Sequence, residues 1–170
     1  MDLQAFENRV IPSKNKLFRF ALRFVGSEEE AKDIVQEVFI RVWNSRATMH
    51  RVQNWEAWCM RITKNLCLDR IRLARGHQTQ TLNSSFGLRN NAPTPHESTE
   101  IDESMKKISQ MIESLPEKQR QVIHLRDIEG YSYQEICDIM DLDMNQVKVN
   151  LFRARSTVRE KLTKIDAYGL

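Results

Sequence analysis

Apolar residues recur every three or four positions along most of this chain, which is the spacing of one face of an α-helix. The first such set ends at Gly26 and comprises Leu17, Phe18, Ala21, Leu22 and Val25. Ser27 and Glu30 then have the spacing of a capping box, which predicts a second helix that runs to about Asn44. The positions expected to face inward on this helix are Ala31, Ile34, Val35, Val38, Phe39 and Val42.

A third helix is predicted to start near Trp55, after a polar, cationic loop at residues 45–54. Its apolar stripe is Trp55, Ile62, Leu66 and Leu73. The adjoining arc, with Trp58 at its border, carries Arg61, Lys64, Asn65, Arg72 and Arg75. Charged helical faces are usually only solvated, but the Asn65 amide can pair with a base edge. This arc is therefore a candidate surface for single-stranded nucleic acid.

The composition changes at residues 76–99, where Gln, Thr, Asn, Ser and Pro dominate. Too few apolar side chains remain in this segment to offset the entropy of ordering it. We predict a flexible linker here, which joins a first domain at residues 1–75 to a second domain at residues 100–170.

The second domain is predicted to contain four helices. The first carries an apolar stripe that steps by four, three, four and three positions: Ile101, Met105, Ile108, Ile112 and Leu115. Pro116 restarts the chain, and the next helix, with Val122, Ile123 and Leu125, ends at Gly130.

Two further capping boxes begin the last two helices. Ser132 and Glu135 predict a short helix that starts near Tyr133, and Asp143 and Gln146 predict the start of the closing helix. Residues 141–143 then form a tight turn, and the pair of helices is a helix-turn-helix.

The closing helix, predicted at residues 144–162, has two distinct faces. Its apolar stripe is Val147, Leu151, Ala154, Val158 and Leu162. The opposite face carries Asn145, Lys148, Phe152, Arg155, Ser156 and Arg159. That face has the residue types that read a DNA groove, and the alternative is an ordinary helical hairpin with a solvated face.

Composition and charge support an all-α, DNA-binding protein. The chain has 170 residues with 41% hydrophobic content and only 5 glycines, which favours helices. Net charge is only +3, but basic residues cluster at 41–75 and again at 144–164. Two separated basic surfaces indicate two contacts with a polyanion.

Other chemistry has little support in the sequence. The 3 cysteines form no C-x-x-C pair and the 4 histidines lie far apart, so we expect neither a metal nor a cofactor. We find no nucleophile with a base and no phosphate-binding glycine loop, so we expect no enzymatic activity. Without a signal peptide or a membrane-spanning apolar run, the expected location is the cytoplasm.

Several motifs, in the same order, resemble the bacterial extracytoplasmic-function (ECF) sigma factors. In the first half they are DIVQEVFIRVW at 33–43, WCMRITKN at 58–65 and LDRIR at 68–72. In the second half they are LPEKQRQV at 115–122, EGYSYQEI at 129–136, VK at 147–148 and LFRAR at 151–155. The resemblance implies a two-domain promoter-specificity subunit of RNA polymerase.

The resemblance also implies roles for individual residues. The polymerase clamp would be contacted by Asp33, Gln36, Glu37 and Arg41. The melted minus-10 element would be held by Arg51, Trp58, Arg61, Lys64, Asn65 and Arg72, with the 45–54 loop around an unstacked base. The minus-35 element would be contacted by Asn145, Gln146, Lys148, Val149, Phe152, Arg153, Arg155 and Arg159.

Within the minus-35 set, three side chains are best read as phosphate contacts: Lys148, Arg155 and Arg159. The better candidates for base contacts are Asn145, Phe152 and Arg153. The chain departs from the family pattern at Asp141, where many relatives have glycine, and at Val149 and Asn150, where they often have Ser-Arg. Val149 favours an apolar contact with a thymine methyl group.

The partners that the resemblance implies are core RNA polymerase, promoter DNA and an anti-sigma factor, which in this family is often membrane-bound. One alternative is a helix-turn-helix regulator that binds duplex operators and has a sensory N-terminal domain. The other is a nucleic-acid enzyme. Neither accounts for a basic single-strand surface ahead of the linker.

Overall fold

The computed structural model describes residues 1–48, 52–80 and 100–168, and within these ranges every regular element is helical. The chain divides into two compact units, Met1–Ala92 and Pro93–Leu170. Most of the predicted linker, residues 76–99, lies outside the described residues. Its first part does not: the third predicted helix continues through Gly76 to Gln80. A single exposed glycine costs a helix only about 1 kcal/mol, which a long helix tolerates.

Unit 1 contains four α-helices among its described residues: α1 (Leu3–Arg9), α2 (Lys14–Val25), α3 (Glu28–Ser45) and α4 (Trp55–Gln80). The last three pack against one another. The periodicity of apolar residues did not predict α1, which begins where the Ala5 amide donates to the Asp2 carboxylate at 2.8 Å. Phe6 of α1 packs edge-on against Phe39 and Trp43, with ring centroids 6.1 and 5.3 Å apart.

The predicted inward faces of α2 and α3 need some revision. On α2 the buried positions are Leu17, Phe20, Ala21 and Phe24, whereas Phe18, Leu22 and Val25 are only half-buried. The reason is that α2 contacts both α3 and α4, so the two neighbours together decide its buried face. On α3 the prediction is confirmed except at Phe39, which is half-buried against α1. Gly26 ends α2 in the left-handed conformation at φ 71°, as expected.

The predicted apolar stripe of α4 is wrong in part. Leu73 is 61% exposed, and Ile62 is half-buried. The positions that α4 buries are Trp55, Ala57, Cys59, Met60, Thr63, Lys64, Leu66 and Cys67. The centre of this face lies about a quarter-turn from the predicted stripe. Several of these buried side chains are small alanine, cysteine and threonine residues, which let α4 pack closely against the other helices. The predicted stripe missed them because it was drawn through large apolar residues.

Unit 2 has the predicted four α-helices, with one addition. They are α5 (Glu100–Glu113), α6 (Glu117–Ile123), α7 (Tyr133–Met140) and α8 (Met144–Tyr168). A π-helical turn, His124–Ile128, continues α6. The core of the unit is formed by Met111, Ile112, Leu115, Val122, Ile123, Leu125, Ile136, Ile139, Met140, Val147, Leu151 and Ala154. Met105, placed on the apolar stripe of α5, is instead 61% exposed.

Both capping boxes predicted in unit 2 are confirmed. Glu135 N donates to Ser132 Oγ at 3.2 Å, and Ser132 N donates to Glu135 Oε2 at 2.7 Å. At α8, Gln146 N donates to Asp143 Oδ1 at 2.8 Å and Asp143 N donates to Gln146 Oε1 at 3.0 Å. The predicted turn between them passes through Asp141, a non-glycine residue in the left-handed region at φ 55°. The start of α8 is therefore fixed by hydrogen bonds between residues close together in the sequence.

The α3 cap is only half of the predicted box, since Glu30 N donates to Ser27 Oγ at 3.3 Å without a reciprocal bond within the described residues. Among the helices that the structure describes, none has the length and hydropathy of a membrane span.

Candidate nucleic-acid interfaces

Four of the predicted minus-10 residues lie on one outward side of α4. Arg61, Asn65 and Arg72 follow one another at helical spacing, and Trp58 precedes Asn65 by two turns. Asn65 and Arg72 are exposed, whereas Arg61 and Trp58 are half-buried. We call these four residues the α4 surface. Its members sit on one rigid helix, which fixes their spacing.

The Asn65 amide and the Arg72 guanidinium of the α4 surface are exposed, the Arg61 guanidinium is half-exposed, and the Trp58 ring nitrogen is covered. Arg61 and Asn65 make no side-chain hydrogen bond or ion pair with another described residue. Arg72 Nη1 lies 3.9 Å from Asp69 Oδ1, an exposed contact that contributes little in water. The Trp58 ring nitrogen is buried without a hydrogen-bond partner in the described part of the chain.

One predicted minus-10 residue, Lys64, is not part of this surface, and another lies outside the described residues. Lys64 is only 8% exposed, because the turn of α4 brings it to the edge of the helix bundle. Its predicted position on the exposed arc is therefore wrong. Arg51 and the middle of the 45–54 loop lie outside the described residues. The end of that loop is defined by Asn54, whose Oδ1 accepts from Ala57 N at 3.0 Å and caps α4.

The predicted polymerase contacts lie along the outer side of α3. Asp33, Gln36 and Arg41 are exposed, and Glu37 is half-buried. The Glu37 carboxylate lies 2.5 Å from Arg41 Nη2 on its own helix and 3.8 Å from Arg70 Nη2 on α4. Its charge is thus largely compensated within the protein.

Ile40 belongs to the same side of α3 and was missed by the sequence analysis. It is 59% exposed, one turn beyond Gln36 and Glu37. The sequence did contain a signal for Ile40, because a helical projection of α3 places this apolar side chain in the middle of the polar face. The outer side of α3 therefore combines polar groups with an apolar contact.

On α8 the side chains of all the predicted minus-35 residues are exposed to solvent. They are Asn145, Gln146, Lys148, Val149, Phe152, Arg153, Arg155 and Arg159. Phe152 is 73% exposed and Val149 is 44% exposed, which is unusual for apolar side chains of this size. We call this set the α8 surface.

The helical projection orders the α8 surface into a centre and two flanks. Asn145, Val149 and Phe152 form the centre, whereas Arg153 lies on one flank. The other flank carries Lys148, Arg155 and Arg159. An apolar and amide centre between cationic flanks matches a groove, where base edges lie between two phosphate backbones.

Two members of the α8 surface are engaged within the protein. Gln146 uses its side-chain oxygen to cap α8. Arg155 forms a bidentate pair with Asp127: Nε lies 2.9 Å from Oδ2, and Nη2 lies 2.5 Å from Oδ1. This hydrogen bonding raises the pKa of Arg155 above its usual value. Arg155 is thus already neutralised, unlike Lys148 and Arg159, which have no ion pair within the described residues.

The three cysteines are all buried. Burial raises the pKa of the Cys59 and Cys67 thiols to about 12, so both stay protonated at neutral pH. Within the described ranges, no three His, Cys, Asp or Glu side chains are grouped so as to hold a metal ion.

Comparison with known sequence families places a match in each unit. Residues 12–76 match the Sigma-70 region 2 family, and residues 105–158 match the Sigma-70, region 4 family. The chain is 30% identical to the ECF RNA polymerase sigma factor SigW of Bacillus subtilis, over 95% of this chain and 90% of that protein. It is 28% identical to the ECF RNA polymerase sigma-E factor of Escherichia coli, over 95% of this chain and 88% of that protein.

Solved structures share the fold. The sigma factor RpoE of Bartonella quintana, in complex with the anti-sigma factor NepR, superposes with a TM-score of 0.72 at 22% identity, over 95% of this chain and 98% of that one. CnrH, in complex with the cytosolic domain of CnrY, has a TM-score of 0.70 at 21% identity, over 96% of this chain and 90% of that one.

Proposed function

Because this chain belongs to the ECF RNA polymerase sigma factors, which direct the polymerase to promoters, we propose that its two units divide the promoter between them. The α4 surface holds the melted minus-10 element, and the α8 surface reads the minus-35 element as duplex. The observation that carries this proposal is that unit 1 presents the α4 surface and unit 2 presents the α8 surface, each with exposed amide and guanidinium groups. The first binding domain is assigned to residues 1–75, extended by the end of α4 to Gln80, and the second to residues 100–170.

At minus-10 the energetic problem is the cost of melting. Opening duplex DNA costs about 1.4 kcal/mol per base-pair step, so the separated strand must gain compensating contacts. Arg61 and Arg72 supply charge for its phosphates, and the Asn65 amide supplies a donor and an acceptor for a base edge. An aromatic neighbour such as Trp58 adds about 1 to 3 kcal/mol where a base stacks on it.

At minus-35 the helix α8 has the dimensions that fit the major groove. Phe152 and Val149 suit thymine methyl groups, and Asn145 suits an adenine edge. Lys148 and Arg159 supply phosphate contacts on one flank. Arg153, on the other flank, can reach either a phosphate or a base edge. Arg155 contributes less to phosphate binding than its position on this flank suggests, because it is paired with Asp127.

The outer side of α3 is the proposed contact with the polymerase clamp, through Asp33, Gln36, Glu37 and Arg41, with Ile40 as an apolar addition. Core RNA polymerase and promoter DNA are thus the partners, and the protein acts in the cytoplasm by binding, without catalysis of its own. RpoE was solved with the anti-sigma factor NepR, and CnrH with the cytosolic domain of CnrY. We infer that an anti-sigma factor also binds this chain and holds it inactive.

A regulator of duplex operators is the less favoured alternative. Such a protein uses only the α8 surface and leaves the α4 surface, with its amide and two guanidinium groups, without a role. The two proposals differ in one measurable property, since only a sigma factor opens DNA together with the polymerase.

The decisive experiment reconstitutes the full chain with core RNA polymerase, maps a promoter that the complex opens, and measures the single-stranded region by permanganate reactivity. We expect Arg61→Ala and Asn65→Ala to lower open-complex formation by about tenfold, which corresponds to 1.4 kcal/mol. Polymerase affinity should stay unchanged, because the α3 side is intact.

The matched controls are Arg9→Ala and Asn15→Ala, which remove the same side-chain types from exposed positions on α1 and α2. Both controls should open the promoter as the wild type does. Normal opening by the Arg61 and Asn65 variants, or a loss that tracks a loss of polymerase binding, would contradict the assignment of the α4 surface.

A further inference from the structure

Asp127 places a carboxylate directly against the cationic flank of α8. It belongs to the π-helical turn, 28 residues before Arg155 in the chain. The pair is bidentate, with both carboxylate oxygens on the guanidinium at 2.9 and 2.5 Å. Fork-shaped pairs of this kind fix the orientation of the guanidinium as well as its charge. The Arg155 side chain is therefore held in one orientation, toward the π-helical turn.

The pair lies where a DNA phosphate would approach the α8 surface. The side chains of Arg155 and Asp127 are 43% and 36% exposed. Beside them is a cavity of about 310 Å³ lined by Tyr133, Lys148, Leu151, Phe152, Arg155, Ser156 and Arg159. Lys148 and Arg159 share the flank with Arg155 and have no ion pair among the described residues. A phosphate near this cavity meets two available cations and one that is already compensated.

We propose that Asp127 limits the sequence-independent affinity of this protein for DNA, by withdrawing Arg155 from the phosphate-binding flank of α8. Each cation that neutralises a phosphate steepens the fall of log K with log salt by about 0.9 and adds affinity for any sequence. With Arg155 occupied, a larger share of the binding free energy comes from the base contacts at the centre of the α8 surface. This inference rests on the proposed function of that surface.

The test is the salt dependence of duplex binding by the full chain. A short fluorescent duplex of arbitrary sequence is titrated between about 50 and 200 mM salt, and the affinity is measured by anisotropy. Asp127→Asn frees Arg155, so we expect the slope of log K against log salt to steepen by about 0.9. At 0.1 M salt this corresponds to an affinity roughly five to ten times higher.

Three further variants separate this mechanism from simpler ones. Asp138→Asn makes the same charge change at an exposed carboxylate on α7, and it should leave the slope unchanged. Asp127→Glu keeps the carboxylate and should behave as the wild type. In an Arg155→Gln background, Asp127→Asn should no longer steepen the slope, because the cation that it frees is absent.

A wild-type slope for Asp127→Asn would overturn the inference, as would equal tightening by Asp127→Asn and Asp138→Asn. Either result leaves the proposed function intact, because the wild-type chain still binds the duplex in a salt-dependent way. Failure of the wild-type chain to show such binding would instead contradict the role of the α8 surface itself, and this inference with it.

Discussion

At the scale of single residues, the charge of a side chain is often shared with a neighbour before any partner binds. Glu37 is compensated by Arg41 and by Arg70, and Arg155 is compensated by Asp127. In each case one partner comes from another helix. A charged residue on a binding face therefore has two functions, to support the fold and to contact the partner, and a substitution affects both.

Glu37→Lys is the substitution that best tests the outer side of α3. It places a cation beside Arg41 and Arg70, so we expect core-polymerase affinity to fall at least about tenfold, as the loss of one charge-assisted contact would produce. The exposed pairs themselves contribute at most about 1 kcal/mol, so the fold should persist. Competition for core polymerase against an unmodified chain measures the affinity.

Two control variants separate charge reversal from loss of the pair. Glu37→Gln removes the pair without adding a cation and should have a smaller effect. Glu7→Lys makes the same reversal at an exposed position on α1 and should bind as the wild type does. Holoenzyme formation by Glu37→Lys at the wild-type level would remove Glu37 from the polymerase contact.

At the scale of the elements, the helix-turn-helix is built from short-range hydrogen bonds. Each of its helices has a capping box, and the turn between them depends on Asp141. The left-handed conformation is unfavourable for most residues with a Cβ, although Asp tolerates it better than most. The turn therefore stores a small strain at Asp141.

Asp141→Gly should relieve this strain and raise the free energy of unfolding of unit 2 by about 0.5 to 1 kcal/mol. Asp141→Asn removes the charge but tolerates the same conformation, so its stability should stay within about 0.5 kcal/mol of the wild type. Urea unfolding followed by far-UV circular dichroism measures both. A glycine variant less stable than the wild type would contradict this prediction. It would show that the Asp141 side chain stabilises unit 2 by more free energy than the backbone strain costs.

At the scale of the whole molecule, the chain has two separate cores. Val38 and Met60 belong to the core of unit 1, and Leu125 and Ile136 belong to the core of unit 2. The 3 tryptophans, Trp43, Trp55 and Trp58, all belong to unit 1. Tryptophan fluorescence therefore reports on unit 1, whereas circular dichroism reports on both units.

Ile136→Ala tests the independence of the two cores. Ile136 is fully buried, and its truncation should destabilise unit 2 by about 2 to 5 kcal/mol. We expect an earlier unfolding phase in circular dichroism and an unchanged tryptophan transition. The matched variant is Ile34→Ala at a fully buried position in unit 1, which should shift the tryptophan transition. A tryptophan transition that moves with Ile136→Ala would mean that the units unfold together.

The sequence motifs that were predicted correctly are all local. Gly26 ends α2, Ser132 and Asp143 cap α7 and α8, and the apolar stripe of α8 is inward at Val147 and Leu151. These signals act between residues no more than about one helical turn apart, where sequence spacing and spatial neighbourhood are the same. Helix α1 was missed because it has only 7 residues and buries one apolar side chain, Phe6, which is too short a pattern to form a stripe.

The sequence by itself therefore determined that the chain is helical, where most helices begin, and which residue types each helix offers to a partner. It did not determine where the longest helices end, since α4 continues to Gln80 and α8 continues to Tyr168, beyond the predicted ends at 75 and 162. Only the tertiary structure decided which side of α4 is buried, so that Lys64 turns inward while Asn65 stays outside. It also decided that Arg155 is paired with Asp127. The physical reason is that capping and helical periodicity depend on residues within a turn or two, whereas burial and ion pairing depend on what distant segments bring alongside.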